Sequence, residues 1–369
     1  MLFSYIYVPH QMEKMQKFIN FIFYQIWCLA PKTGAFTLTL FDANPALKEV
    51  MTSFAYDDTQ AGDRFYSQVQ GIYQDFSALS RRDIAQFKRW YQGNNDLEKL
   101  CSNDPAVRLA RYADISITHS ALSEQLAAFF KGLYSQSLLD LAPLRSKIGN
   151  IDDHYQAFVS TNKAGKCPFC GIDDLLGEYH SKREAYDHYL PKALYPFNSI
   201  NFKNLVPACH HCNSSYKTSK DPAYIPKDPA RAGVRRKVFY PYASMPYTIE
   251  LQVRLHHSDV DNLKPADVEM QFGPPALNEE IDTWKDVYGI EERYKAKFCV
   301  ENDGKYWVMQ VLDEWTKDGR LPAVFLRVLA RQATNNPYAE CNFLKKPFLD
   351  ACEEVGVFND ILLLKNIPD

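Results

Sequence analysis

The sequence predicts an α+β fold that is mostly α-helical, and three observations predict it. Apolar residues recur at helical spacing through much of the N-terminal and C-terminal parts of the chain. The apolar–polar alternation that is typical of strands is confined to short segments. Between these parts lie two closely spaced pairs of cysteines, which indicate a small metal-stabilised module. We therefore expect a helical frame around a central module.

Length and composition indicate an ordered chain with several parts. With 369 residues, of which 46% are hydrophobic and 14% aromatic, the chain can form two or three packed domains. We expect a helical N-terminal region at residues 1–150, the cysteine-bearing module at 151–237, and a mixed, mainly helical region at 238–369. No phosphate-binding loop or dinucleotide-binding motif occurs in the sequence, so the chain itself offers no site for ATP.

The N-terminal region begins with an apolar segment from Phe18 to Ala30. Its 13 residues are too few to span a membrane, and Asn20 and Gln25 interrupt them. We expect a buried helix or strand, and a cytoplasmic protein that does not engage a membrane. The segment 35–41, AFTLTLF, predicts one short strand.

Three helical stretches are predicted in the rest of this region. The second begins with Ser80 and Asp83 as an N-terminal cap and ends near Gly93, and the third lies within Ser120–Lys147. Their apolar stripes predict core faces and consist of Phe65, Val69, Ile72, Tyr73 and Phe76; Ile84, Phe87, Trp90 and Tyr91; and Leu122, Leu126, Phe129, Phe130 and Leu133.

The two cysteine pairs have the spacing of zinc knuckles. Cys167 and Cys170 form the first pair, Cys209 and Cys212 the second, and 38 residues separate them. With four thiolate ligands a Zn²⁺ ion would be closed to substrate and would stabilise the fold. Disulfides or buried thiols are the alternatives. The other five cysteines are an odd number at scattered positions, which favours free thiols in a reducing compartment.

The segment between and after the knuckles contains residues suited to phosphodiester chemistry. It reads EAYDHYLPK and then YPFNSINFKNLVPACHHCNSSYK, and it contains Asp187, His188, Asn204, Asn213 and Lys217. The order Asp-His-x-x-Pro, Asn-Leu-Val-Pro, cysteine knuckle and Asn resembles the HNH, or ββα-metal, endonuclease family. The resemblance implies a strand that ends at Asp187 and His188, a second strand at 204–207, and a helix that starts at Asn213.

The resemblance also implies a role for each of these residues. Asp187 and Asn213 would bind one Mg²⁺ or Mn²⁺ ion, His188 would be the general base, and Asn204 would brace the loop that orients His188. Asn at the last motif position, which is often His, favours a hard cation over Zn²⁺ at this site. Products with 5′-phosphate and 3′-hydroxyl ends are expected.

The same residues suit hydrolysis on physical grounds. The reaction needs a base for water, a cation for the developing charge, and positive groups along the backbone. Lys217 would lie one helical turn beyond Asn213 on the same face, where it could contact the scissile phosphate. Each residue also has a structural alternative: His188 as a hydrogen-bonded core histidine, Asn213 as a helix cap, and Lys217 as a solvated lysine.

Charge favours a nucleic-acid partner. Residues 161–237 contain 13 Lys or Arg against 7 Asp or Glu, a net charge of +6, whereas the whole chain carries −3. Arg231, Arg235, Arg236 and Lys237 extend this basic segment at one end. DNA is favoured over RNA as the substrate, although the sequence does not separate the two.

The family resemblance places the chain among nuclease subunits of bacterial anti-phage or restriction systems, including those that work beside an ATPase partner. Two alternatives stay open. One is a non-catalytic zinc-knuckle module that binds nucleic acid or protein, and the other is an RNA-cleaving toxin with the same site. A module that only binds has no need of Asp187, His188 and Asn213.

The C-terminal region follows a turn-rich junction, FYPYASMPY, and mixes one strand with helices. Thr248–Leu255 alternates like a strand. Ile281–Lys297 predicts two helices that break at Gly289, and two further helices are expected at Tyr306–Lys317 and Asn342–Glu354.

Overall fold

The computed structural model describes residues 1–56, 59–225, 233–245 and 247–359 of the chain. Within them the chain is mostly helical, as the sequence predicts, and it contains two small antiparallel sheets. The chain divides into an N-terminal unit, Ser4–Gly165 and Leu175–Ser244, and a C-terminal unit, Met1–Phe3, Lys166–Asp174 and Met245–Asp369. The three-part division expected from the sequence stays a prediction.

The described part of the N-terminal unit contains helices α1 to α10 and a two-stranded ribbon. The helices are α1 (Glu13–Phe21), α2 (Pro45–Ala55), α3 (Gln60–Ser77), α4 (Arg81–Asn95), α5 (Leu97–Cys101), α6 (Tyr112–Ser116), α7 (Ser120–Leu133), α8 (Gln136–Leu139), α9 (Ala142–Ile148) and α10 (Ile151–Thr161). The strands are β1 (Tyr186–His188) and β2 (Leu205–Pro207). After α1 the chain continues as a π-helix at Ile22–Ile26 and a 3-10 helix at Trp27–Lys32. The apolar segment is therefore largely buried and helical, which is one of the two predicted alternatives.

Trp27 lies in the core of this unit, in contact with α3 and α7. Its side chain is fully buried against Phe76 and Phe129, and its indole Nε1 donates to the carbonyl oxygen of Val69 at 3.0 Å. The only polar atom of the indole is therefore satisfied inside the core. The predicted stripes of α3, α4 and α7 contribute to this core, which confirms those three helices. Among the described residues, no helix combines the length and the apolar character needed to cross a bilayer.

The predicted strand at 35–41 is wrong. Leu38–Phe41 form a 3-10 helix, and Asn44 then caps α2 by accepting the backbone N–H of Leu47. Phe36 and Phe41 contact each other, with ring centroids 5.9 Å apart, and both pack on the core. Residues five apart point to opposite faces of a strand, so a strand could not bury both rings on one side.

The described part of the C-terminal unit contains helices α11 to α15 and strands β3 and β4. Their bounds are β3 (Glu250–Leu255), β4 (Val268–Gly273), α11 (Asn278–Tyr288), α12 (Ile290–Cys299), α13 (Tyr306–Asp318), α14 (Pro322–Asn335) and α15 (Asn342–Glu354). β3 and β4 pair antiparallel, with Glu250 opposite Gly273. Gly289 separates α11 from α12 at φ 60°, a left-handed conformation that favours glycine, so the predicted break is confirmed. Helix α14 was not predicted.

Ser80 tests whether local capping stabilises α4. Its Oγ accepts the backbone N–H of Asp83 at 3.2 Å, and the Asp83 carboxylate accepts the backbone N–H of Ser80 at 3.2 Å. Ser80→Ala should lower the free energy of unfolding by about 1 kcal/mol, measured by urea denaturation. Ser67→Ala, an exposed change inside α3, is the control and should cause no loss. Equal losses in the two variants would show that the cap is not what stabilises α4.

Candidate active site and metal centre

The short ribbon and the helix that follows it assemble the predicted site residues. β1 and β2 pair antiparallel, with Asp187 opposite Val206 and His188 opposite Leu205. The chain then enters a π-helix at His211–Lys217, which contains Asn213. The elements therefore follow the strand–strand–helix order expected from the family resemblance. Asp187, His188, Asn204, Asn213 and Lys217 all lie in or directly beside these elements.

Asp187 is a buried side chain, and only one of its two carboxyl oxygens accepts a hydrogen bond from the described residues. Its side chain is 3% exposed, and its Oδ1 accepts a hydrogen bond from Lys217 Nζ at 2.8 Å. Lys217 is fully buried, and its ammonium also donates to the carbonyl oxygen of His188 at 2.8 Å. Oδ2 of Asp187 is buried and has no hydrogen-bond partner among the described residues. Burial raises the pKa of Asp187, and the Lys217 ammonium opposes that rise.

The unsatisfied Oδ2 of Asp187 fits a hard divalent cation. A buried oxygen without a partner costs free energy. Carboxylate and amide oxygens are ligands that Mg²⁺ and Mn²⁺ accept. Asn213, in the first half of the π-helix, has a partly exposed side chain that offers such an amide oxygen. The donor types present therefore match the cation that the sequence predicts.

His188 is held in one orientation by a backbone carbonyl. Its Nε2 lies 2.9 Å from the carbonyl oxygen of Ser199, and its ring packs edge-on against Tyr134 at 4.8 Å between centroids. Because a carbonyl oxygen only accepts, Nε2 carries the proton and Nδ1 presents its lone pair. Burial, with a smaller contribution from the nearby Lys192 charge, lowers the pKa of His188 to about 3. The imidazole is therefore neutral at pH 7, with the lone pair of Nδ1 unprotonated.

Asn204 joins the two ends of the loop that carries Ser199. Its side chain is fully buried, and its Oδ1 accepts the backbone N–H of Leu190 at 2.7 Å. Its Nδ2 donates to the carbonyl oxygens of Leu190 at 3.1 Å and Asn198 at 3.3 Å. A single amide thus fixes the backbone on both sides of the loop whose carbonyl holds His188.

The same loop contains a strained residue anchored in the core. Phe197 has φ 80°, a region that residues other than glycine rarely adopt. Its ring is fully buried and stands between the rings of Phe23, Tyr91 and Phe130. Core packing therefore holds the loop in an unfavourable backbone conformation two residues before Ser199.

Several predicted basic residues are engaged within the protein. Lys217 donates to Asp187 and to a backbone carbonyl oxygen. The sequence suggested a contact between Lys217 and the scissile phosphate instead. The guanidinium groups of Arg235 and Arg236 both donate to backbone carbonyl oxygens. Arg231 lies outside the described residues. Arg235 and Arg236 therefore support the fold, and the basic segment presents fewer charges to a ligand than its composition suggests.

Sequence reasoning missed the residues that surround the His188 ring. Tyr134 follows α7, and Ser199 comes from the loop before β2, so neither shares a motif with His188. Lys192 Nζ lies 5.6 Å from the centre of the Tyr134 ring. Lys192 directly follows the Asp-His-x-x-Pro motif and could have been proposed as a nearby cation. Tyr134 and Ser199 gave no such signal, because only the fold brings them to the site.

The four predicted zinc ligands form a buried cluster. The Sγ atoms of Cys167, Cys170, Cys209 and Cys212 all lie within 4.8 Å of one another. Tetrahedral thiolates on Zn²⁺, at ~2.3 Å from the ion, would lie about 3.8 Å apart. The backbone N–H of Cys212 donates to Cys209 Sγ at 3.4 Å. The cluster could therefore bind zinc with little rearrangement. The cysteines outside it are free thiols, as predicted: Cys28, Cys101, Cys299, Cys341 and Cys352.

Comparison with known proteins gives one short similarity. No family model and no solved structure matches the chain. The chain is 34% identical over 71 residues to Septu protein PtuB of Bacillus thuringiensis. The similarity covers 18% of this chain and 25% of the relative, so the chain spans about a quarter of the length of the curated relative it matches.

The cysteine cluster predicts one tightly bound zinc ion per chain. Cys209→Ser should lower zinc content, solubility and melting temperature, because a closed thiolate site contributes to folding. Metal analysis and thermal denaturation measure the two effects. Cys299→Ser, a thiol outside the cluster, is the matched control and should keep its zinc. Wild-type protein without zinc would rule out the proposed metal centre.

Proposed function

We propose that the chain is a metal-dependent HNH endonuclease that hydrolyses phosphodiester bonds of nucleic acid, with DNA favoured over RNA. One observation carries the proposal. The buried carboxylate of Asp187 has an unsatisfied oxygen, and the next residue, His188, is a neutral imidazole oriented with a free lone pair. A ligand for a hard cation and a base for water thus occupy consecutive positions at the end of β1, which a module that only binds does not require.

The chain's own residues divide the work of hydrolysis. Nδ1 of His188 takes the proton from the water that attacks phosphorus. The Ser199 carbonyl holds the ring through Nε2, and Asn204 holds the loop that contains Ser199. Asp187 and Asn213 would hold Mg²⁺ or Mn²⁺, which when bound stabilises the negative charge on the leaving 3′ oxygen. Products with 5′-phosphate and 3′-hydroxyl ends follow.

Lys217 acts indirectly in this proposal. Burial favours the neutral acid form of Asp187, and the ammonium at 2.8 Å favours the carboxylate. Only the carboxylate binds a divalent cation well, because ligands must be deprotonated. Lys217 thus prepares the metal ligand. A contact between Lys217 and the scissile phosphate stays a prediction of the sequence.

We also propose a biological setting for the nuclease. The zinc cluster would stabilise the fold, and the hard cation would serve catalysis. By family resemblance, we place the nuclease in the bacterial cytoplasm, in an anti-phage system with an ATPase partner subunit. The 71-residue similarity to Septu protein PtuB bears on this setting. The substrate and the partner are part of the proposal.

His188→Ala should abolish cleavage while zinc content and folding stay intact, because the base acts only on the attacking water. A loss of about 10²- to 10⁴-fold is expected from removal of a general base. The assay incubates the protein with plasmid, single-stranded DNA and total RNA in the presence of Mg²⁺. His180→Ala, an exposed histidine in the same segment, is the control and should cleave normally. Near-normal turnover by His188→Ala would remove this residue from the mechanism.

Brief EDTA treatment should stop cleavage without unfolding the protein, because a cation held by few oxygen ligands exchanges faster than thiolate-bound zinc. Mg²⁺ or Mn²⁺ should restore activity to the wild type but only weakly to Asp187→Asn or Asn213→Ala. Zinc content is measured in the same samples and should not change. If zinc and activity are instead lost together, one for one, the two-metal proposal is wrong.

A further inference from the structure

A polar cleft of about 360 Å³ lies beside His188 within the N-terminal unit. Its walls come from the segment after α7, from α8 to α10 and from the segment before β1. Tyr134 lines the cleft, and the same ring packs against His188 at 4.8 Å between centroids. The cleft is therefore one aromatic ring away from the proposed base. Its volume falls in the range of about 300–1,000 Å³ that small-ligand sites occupy.

The charged groups of the cleft form two pairs of opposite sign. Arg183 Nε donates to Asp152 Oδ1 at 2.7 Å, and Arg145 Nη1 lies 4.0 Å from Asp140 Oδ1. All four side chains are accessible, with exposed fractions of 32% and 68% in the first pair and 49% and 47% in the second. Each pair thus presents hydrogen-bond donors next to acceptors.

Tyr134 adds a polar atom that none of the described residues satisfies. Its hydroxyl is buried and has no hydrogen-bond partner among the described residues. Burial raises the pKa of Tyr134, so the hydroxyl keeps its proton and can donate. An unsatisfied buried hydroxyl costs free energy. A ligand in the cleft that reaches this hydroxyl would remove the cost.

The mixture of donors and acceptors distinguishes a base site from a phosphate site. Asp140 and Asp152 would repel a phosphate group. A nucleobase carries donors and acceptors on one edge, and guanine presents acceptors at O6 and N7 that arginine recognises. The N–H groups on the pairing edge of guanine can donate to a neighbouring carboxylate. Unpaired bases are read in this way by proteins that stack them on aromatic or arginine side chains.

We propose that this cleft binds an unpaired guanine base next to the scissile phosphodiester, so that cleavage beside guanine is preferred. The inference rests on the function proposed above, and it adds the base that the nuclease recognises. The base must be unpaired, because a cleft offers access to the pairing edge only when the base has left the duplex. Tyr134, shared by the cleft and His188, sets the distance between the recognised base and the reacting phosphate.

Base preference is measured with single-stranded DNA and RNA oligonucleotides that contain one guanine or none. Wild-type protein should cleave the guanine-containing strands about tenfold faster, with cuts beside the guanine. Arg145→Gln and Tyr134→Phe should bring this ratio close to one. Tyr134→Phe removes an unsatisfied hydroxyl only, so the fold should be retained. Arg82→Gln and Tyr179→Phe, exposed changes outside the cleft, are matched controls that should keep the preference.

Binding of GMP, AMP and CMP to His188→Ala protein, measured by calorimetry, separates this inference from the nuclease proposal. GMP should bind about tenfold more tightly than AMP or CMP, and Arg145→Gln should remove the difference. Cleavage without base preference, together with equal binding of the three nucleotides, overturns the inference and leaves the nuclease standing. Selective GMP binding by wild-type protein that never cleaves supports the cleft and overturns the nuclease. Neither cleavage nor selectivity overturns both.

Discussion

The buried ion pair between Asp187 and Lys217 is the interaction on which the rest of the site depends. Removing either charge from water alone would cost several kcal/mol, and a separation of 2.8 Å with further hydrogen bonds offsets that cost. The Lys217 ammonium also binds the carbonyl oxygen of His188, so one cation joins the end of β1 to the π-helix. The Asp187 carboxylate, the backbone at His188 and the helix that carries Asn213 are therefore fixed relative to one another.

Neutral hydrogen-bonding groups surround this ion pair, and aromatic side chains pack outside them. Asn204 holds the loop backbone through its amide, and the Ser199 carbonyl selects the tautomer of His188. Farther out, Phe197 anchors the same loop among core rings despite its strained φ. The aromatic packing restricts the loop, and the loop in turn restricts the orientation of His188. The geometry of the proposed base thus depends on residues that never contact substrate.

The sequence predicts the parts of the site that lie close together along the chain. Asp187 and His188 lie in the short ribbon and Asn204 lies directly before its second strand, so local motifs suffice to place them. Tyr134 and the cleft arise from tertiary packing of α7 to α10, and no spacing in the sequence indicates that packing. Arg235 shows the same dependence on tertiary packing. The composition of the basic segment suggests that Arg235 contacts a ligand, but its guanidinium donates to backbone carbonyl oxygens of residues more than 120 positions away. The prediction of a strand at 35–41 was wrong because Phe36 and Phe41 both pack on the same core, which a strand does not allow.

The central claim is that Asp187 binds a divalent cation inside the protein. Electron paramagnetic resonance of Mn²⁺ titrated into zinc-loaded protein measures this directly, without any substrate. Wild-type protein and the control Asp63→Asn, an exposed carboxylate on α3, should bind one Mn²⁺ at a saturable site. Asp187→Asn should lose that site and keep its zinc. Equal Mn²⁺ binding by Asp187→Asn and wild type would contradict the account.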